Sequence, residues 1–326
     1  MLGLTMSAPL SGYHLTPFLD VLRCPVSGAR LILDGTSLVT DDGCQRYEIN
    51  QLGIPLFAQV AHNTDTQSQR CHYDKIAAAY VANLAYPHTR EYLNYLDRVV
   101  LESLGPGEID TLAELCCGNG EGLALLGRQT RRYVGIDISE NMLTSAISSR
   151  SHAGAVFLQG DATRVPLADA SIDVVVMLGG VHHVTDRAAL FSEIARILKP
   201  GGRFIYREPV SDFLLWRALR AVIYRVSPML DHATERPLLF NETVPILEQV
   251  GLVSSLYRTC GFLGFCLFMN ADVLFVNRLF RFIPGICYIT RASIRLDEAI
   301  LKLPGFARAG LQVIGVAVKP NMNSVV

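Results

Sequence analysis

From residue 110 to residue 210 the chain alternates between two kinds of segment, and this rhythm restricts its fold more than any single residue does. Five apolar, strand-like runs (TLAELCC, RRYVGIDI, AVFLQGD, IDVVVMLG and RFIYREP) are separated by segments of helical spacing at 121–129, 139–150 and 186–198. Parallel neighbours need long crossovers, so strand–helix alternation predicts a parallel sheet with helices on both faces. "LKPGGR" at 198–203 closes a helix and turns tightly into the fifth strand. Residues 241–258 repeat the unit, with a helix (ETVPILEQV), Gly251 and a strand (LVSSLYR), and "LQVIGVAVK" at 311–319 reads as a last apolar strand. Half of the 326 residues are hydrophobic, enough for a sizeable core.

The remainder divides around this unit. Residues 1–16 read as a loose terminus. Residues 17–58 form a small β-rich domain in which short runs (ARLIL, SLVT, RYEI) alternate with Gly and Asp turns. Residues 59–109 begin as a polar linker and continue with helical spacing through Tyr73, Ile76, Tyr80, Tyr92, Leu96 and Val99. Residues 110–326 are the main domain, interrupted by insertions at 211–240 and 259–309 that carry large apolar residues and arginine.

A loop after the first strand of such a sheet lies at its carboxyl edge, where ligands bind. Here it reads "CGNG", and Gly118 and Gly120 can take positive φ and let the backbone approach a ligand. Asp137 ends the second strand, placed to accept both hydrogen bonds of a ribose diol. That pairing suits a dinucleotide enzyme equally well. Asp161, just past the third strand, could receive an adenine amino group.

Four segments in order, "LAELCCGNGEG", "VGIDIS", "QGDATRVPLADASIDVVVMLGGVHHVTD" and "EIARILKPGGRFIYREP", resemble the class I S-adenosylmethionine-dependent methyltransferases, in particular the methyltransferase type 11 group. The resemblance covers residues 110–210. It implies a Rossmann-like, seven-stranded, mostly parallel sheet whose final strand is antiparallel. It implies S-adenosyl-L-methionine as cofactor and S-adenosyl-L-homocysteine as product. Glu114 would help hold the methionine amino group, and Gly118 and Gly120 would line the methionine and ribose. Asp137 would bind the ribose hydroxyls, with Ile138 beside it in the cofactor site, and Asp161 and the Ala162 N–H would meet the adenine. Leu178 and Gly179 would border the methyl-transfer face. Tyr73 resembles the tyrosine of an N-terminal helix that closes over the cofactor. Cys116 departs from the family, standing where relatives carry the first glycine.

A sulfonium is already an activated methyl donor, so a general base is needed only for a nucleophile that carries a proton of high pKa. The candidates are His182, His183 and Glu208. Two readings stay open at each: "HHV" could orient its turn through hydrogen bonds, and Glu208 could pair with Arg207 or Arg203.

The formal net charge of −1 lacks the basic excess that a nucleic-acid backbone usually requires, and no nucleic-acid partner is expected. The eight cysteines, Cys24, Cys44, Cys71, Cys116, Cys117, Cys260, Cys266 and Cys287, come without a basic, apolar leader in the first 20 residues. A reduced, cytoplasmic setting is expected, with Cys116 and Cys117 as small buried hydrophobes. Residues 17–58 resemble a zinc-ribbon-like domain, but Ser27 stands at one cysteine position and only Cys44 remains near the second knuckle, so the ribbon is degenerate and no metal is expected. "CGFLGFCLFMNADVLFVNRLFRFIPGICYI" is too short and interrupted to span a bilayer. In-plane membrane contact through 261–290, a lid over an apolar acceptor pocket, and ordinary core are its three readings. The expected activity is methyl transfer to a small hydrophobic acceptor (a natural product, quinone or lipid intermediate) with the insertions forming the acceptor site. The rivals are an RNA base methyltransferase and a catalytically inactive cofactor-binding scaffold. The oligomeric state is not readable from sequence.

Overall fold

The computed structural model describes residues 12–58, 85–149, 152–218, 236–269 and 275–321. The chain opens with a 3-10 helix, Gly12–Phe18, which buries Leu15 and Phe18. The packed structure therefore begins inside the stretch read as a loose terminus. A three-stranded antiparallel sheet follows: β1 (Leu31–Asp34), β2 (Ser37–Thr40) and β3 (Arg46–Glu48). Then come α1 (Pro87–Leu104), β4 (Ile109–Leu115), α2 (Glu121–Leu126), β5 (Thr130–Asp137), α3 (Glu140–Ser149), β6 (Ala155–Gln159) and β7 (Ile172–Leu178). The chain continues with α4 (Arg187–Ile197), β8 (Leu198–Pro209), α5 (Phe240–Gln249), β9 (Val253–Cys260), α6 (Leu263–Phe268), α7 (Ile286–Leu301) and β10 (Gln312–Val318).

The β4 and β7 strands are buried over most of their length, as apolar runs covered by helices on both faces must be. Helix ends follow local chemistry. Pro87 stands at the start of α1, where a missing N–H costs nothing. Asp186 caps α4 by accepting a hydrogen bond from the Ala189 N–H at 2.9 Å.

The large sheet has the order β6-β5-β4-β7-β8-β10-β9. β4, β5, β6, β7 and β8 are mutually parallel, and β10 runs antiparallel to both β8 and β9. The final strand is thus antiparallel, as the resemblance implied. The direction of winding reverses between β4 and β7, so the loops leaving these two strands diverge and open a crevice at the carboxyl edge.

The small N-terminal domain closes one side of this sheet. The Phe57 N–H donates to the Gln159 carbonyl at 2.8 Å and the Gln159 N–H to the Pro55 carbonyl at 3.0 Å, so residues 55–57 continue the ladder beyond β6. An unpaired sheet edge is a template for aggregation, and this pairing covers it. Leu15, Phe18, Leu22, Leu31 and Leu38 share one core with Val156, Leu158, Val165 and Leu167. Cys24 is buried with its sulfur 3.0 Å from the Tyr47 hydroxyl, whereas Cys44 is exposed. Among the described residues no cluster of three or more His, Cys, Asp or Glu side chains is arranged to hold a metal ion.

At the opposite edge, α6, α7 and a 3-10 helix, Phe275–Phe282, pack on α1 and β9. Their centre is Asp297. It is 1% exposed and accepts hydrogen bonds from the Tyr92 hydroxyl (2.7 Å) and from the N–H groups of Phe262 (2.9 Å), Gly264 (3.0 Å) and Phe265 (3.2 Å). A carboxylate on α7 therefore satisfies buried N–H groups at the start of α6, which no helix can satisfy internally. Phe262, Phe265 and Phe268 are buried, so the first part of the 261–290 stretch is core. Trp216, from the other insertion, is also buried, and its indole N–H donates to the Ala309 carbonyl at 2.7 Å. Among the described residues no helix is long and apolar enough to cross a membrane.

Candidate active site

The crevice between the β4 and β7 loops holds a cavity lined by chain from four strand ends: Glu114 to Asn119, Asp137 and Ile138, Asp161 to Thr163, and Leu178 to Gly180 with His183. Nine of the residues read from sequence as site residues meet there: Glu114, Gly118, Asp137, Ile138, Asp161, Ala162, Leu178, Gly179 and His183. Gly120, His182 and Glu208 are not on its wall. Tyr73 lies outside the described residues. The described parts of 211–240 and 259–309 are not among the residues lining this cavity.

The first lip is the β4 loop. Cys116 has φ 52°, a left-handed conformation that favours glycine and costs another residue on the order of 1–2 kcal/mol. Its side chain has room because residue 180 is glycine. A Cβ on Gly180 would stand 2.6 Å from the Cys116 Cβ. The cysteine is half-buried and lines the cavity, a correction to its reading as a core residue. Cys117, by contrast, is buried. Burial, followed by the Asp137 carboxylate, pushes both thiols well above their ordinary value, so neither is a thiolate nucleophile. Gly118 and Gly120 both have positive φ, and Gly120 adopts the left-handed conformation as the residue preceding α2. It therefore sets the entry into the helix.

Glu114 anchors this lip from below. It is 1% exposed, and its two oxygens accept from the Gly122 N–H (2.7 Å), the Leu123 N–H (3.2 Å) and the Tyr133 hydroxyl. The carboxylate occupies the place of a side chain on Gly122, whose Cβ would come within 2.8 Å of Oε2. Burial raises its pKa to about 7, outweighing the three donors that favour the charge. Asp137 accepts from the Gly118 N–H at 2.8 Å and, with its other oxygen, from the Ser139 N–H at 2.9 Å. The carboxylate is thereby locked to the lip at the cavity wall. Asp161 is fixed by the Thr163 N–H and hydroxyl, both at 2.8 Å to one oxygen. The N-terminal domain buttresses this side, with the Asn50 amide donating to Glu140 at 3.0 Å.

The second lip is the turn after β7. Glu208, fully buried, stands behind it. One oxygen accepts from the Gly180 and Val181 N–H groups, each at 2.8 Å; the other accepts from the His182 N–H (3.3 Å) and is 2.7 Å from His182 Nδ1. Both earlier readings of Glu208 are corrected: it pairs with neither Arg207 nor Arg203, and it does not reach the cavity. Arg207 instead bridges Asp97 on α1 (2.6 Å) and Glu121 at the start of α2 (2.8 Å). The His182 ring, oriented by Glu208, lies 3.8 Å centroid to centroid from that of His183, which lines the cavity. Of the three candidate bases, only His183 touches the site.

Sequence reasoning missed Glu121, Met142, Thr185 and Asp186, which also line the cavity. Glu121 and Asp186 had a legible signal, standing at the start of a helix just beyond a turn.

Residues 113–206 match a family model described as a methyltransferase domain. The chain is 34% identical over 111 residues to the demethylmenaquinone methyltransferase of Beutenbergia cavernae, covering 34% of this chain and 45% of the relative. It is 29% identical over 224 residues to an uncharacterized 37.1 kDa protein in transposon TN4556 of Streptomyces fradiae, covering 63% and 64% respectively. The chain thus spans less than two thirds of the length of either curated relative. Among solved structures, a complex between the Haloferax volcanii Trm112 methyltransferase activator and a putative methyltransferase aligns with TM-score 0.53 and 22% identity, covering 77% of this chain and 97% of that one. At that identity the likeness is one of fold.

Proposed function

Because residues 113–206 form a methyltransferase domain on a class I fold, we propose that this protein is an S-adenosylmethionine-dependent methyltransferase acting on a small hydrophobic acceptor. The observation that carries the proposal is the convergence of Glu114, Asp137 and Asp161 on one cavity, each carboxylate pre-set by backbone donors. The donor set fits the cofactor's parts. Asp137 accepts from a ribose diol, Asp161 from an adenine amino group, and Glu114 from an ammonium. Gly118 and Gly179 leave the wall bare for close approach, and a Cβ on Gly179 would meet only open space. When bound, S-adenosylmethionine supplies a methyl group already activated on sulfur.

The chain's part is then to position, to exclude water, and to take a proton where the acceptor carries one. Of the three candidate bases, His183 is the one on the cavity wall and is assigned that role. Its contact with the tilted ring of His182, itself held by Glu208, restricts the ring's orientation. The similarity to a demethylmenaquinone methyltransferase supports a quinone-like or comparably apolar acceptor. An RNA acceptor has less support, given the net charge of −1.

Titration calorimetry with S-adenosylmethionine and S-adenosylhomocysteine tests the reading. Binding of both is expected, and no heat at millimolar ligand would overturn it. His183→Ala is expected to lower turnover at least tenfold at unchanged cofactor affinity.

A further inference from the structure

Among the described residues the helix α7 buries one face and leaves a second, apolar one exposed. Ile286, Thr290, Ile294 and Asp297 are buried against α6 and α1. At about 100° per residue, Tyr288, Ile289, Ala292, Leu296, Ala299 and, just past its end, Leu303 fall on a separate arc roughly 100° wide. All six are exposed, Tyr288 at 74% and Leu296 at 57%. A surface helix would ordinarily place polar residues there.

The preceding turn extends the same character: Leu279, Phe282 (69%) and Ile283 are exposed too. Most of the large exposed apolar side chains among the described residues lie between 263 and 303. Along one edge of the arc runs a basic row, Arg291, Arg295 and Lys302, all exposed, with Arg281 beside Phe282. Of the acidic residues on and against α7, Asp297 is buried, Glu91 is paired with Arg291 (2.6 Å) and Glu298 with Arg258 (3.2 Å).

We propose that this face, from Leu279 to Leu303, docks the protein in the plane of an anionic lipid bilayer. An apolar stripe flanked by arginine and lysine is the pattern of a helix lying at the headgroup boundary, with the stripe in the acyl region and the basic heads among lipid phosphates. The charge pattern selects the occupant. A second copy meeting this face with its own would bring basic residues to the basic row, whereas an anionic bilayer supplies both an apolar layer and negative headgroups. The contact differs from the one expected over 261–290, because 262–268 turns its aromatic residues into the core and the docking face lies further along. The proposal is independent of the reaction assigned above, since no residue of the face lines the cavity.

Flotation of the full chain with vesicles of phosphatidylcholine alone, or with added phosphatidylglycerol, tests it. Binding is expected to the anionic vesicles and to fall as salt rises. The triple variant Phe282→Ser, Ile289→Ser, Leu296→Ser should weaken it by about tenfold for each residue. Arg295→Glu with Lys302→Glu should weaken it by at least about fivefold for each. These side chains are exposed, so an unchanged melting temperature is expected and would separate lost docking from lost folding. Absence of binding to anionic vesicles would overturn the proposal, as would binding indifferent to both variants. So would a concentration-dependent dimer, lipid-free, that the serine variant dissolves.

Discussion

The two lips of the crevice are built by the same device and used differently. Each loop is held by a buried glutamate that accepts backbone N–H groups: Glu114, on the strand the loop leaves, for the entry to α2, and Glu208, on the neighbouring strand β8, for the turn at 180–182. Glu114 stands on the cavity wall, and burial raises its pKa to about 7 against the opposing effect of its three neutral donors. Glu208 stands behind its loop and adds a histidine to its partners. The first is poised to meet a ligand's charge, and the second fixes a framework. A carboxylate at a strand end is thus not by itself a ligand residue; what separates the two roles is whether the loop passes in front of it.

The largest test of that difference is Glu208→Ala. It strands three buried N–H groups and an imidazole, and should destabilise the protein by about 3 kcal/mol or more. Urea unfolding would measure this, and a loss below 1 kcal/mol would show that the turn holds itself. Gly180→Ala comes next, with an expected cost of about 2 kcal/mol because its Cβ meets Cys116. The cost should shrink in a Cys116→Gly background, and a double-mutant cycle without coupling would separate the lips. Asp137→Ala should weaken cofactor binding by about 1–3 kcal/mol with little change in melting temperature, read by calorimetry.

The smallest effect is a pH dependence from Glu114. Its folded pKa is raised, so the stability it contributes is present below the ordinary carboxylate range and is lost as pH rises through about 7. Affinity for a ligand ammonium runs the other way. It should hold above pH 7 and weaken by up to about tenfold per unit below it. Parallel titrations of the native chain and Glu114→Gln isolate both slopes, and identical profiles would remove Glu114 from the ligand site.

The sequence carried the strands and helices of the sheet to within about two residues at most ends, because a strand buried on both faces must be apolar and a crossover helix must have its period. The exception is β8, which begins at Leu198 where the sequence read a helix end and tight turn through Arg203. Asp137 and Asp161 were legible for a related reason: topology puts every parallel strand tip on one edge. What was not legible depends on neighbours far along the chain. Cys116 is tolerated in a left-handed turn beside a glycine 64 positions later. Glu208 reads as an active-site residue until the turn before it is seen to wrap in front. "CGFLGFCLF" reads as a greasy surface until Asp297, on another helix, is seen to pin it inward. The departure at Cys116 is therefore half of a pair whose other half is Gly180.

The ladder between residues 55–57 and β6 has a consequence for how the molecule is assembled. The N-terminal domain leaves the ribosome first, yet its docking strand, Gln159, is synthesised about a hundred residues afterwards. Until then its apolar face has no partner, and contacts closed over so long a loop form late. The β6 edge, in turn, emerges with its cover already waiting. A truncated chain beginning after residue 58 would lose that protection at the moment of folding, so its failure would be seen as aggregation during expression more than as a lower melting temperature of the material that survives.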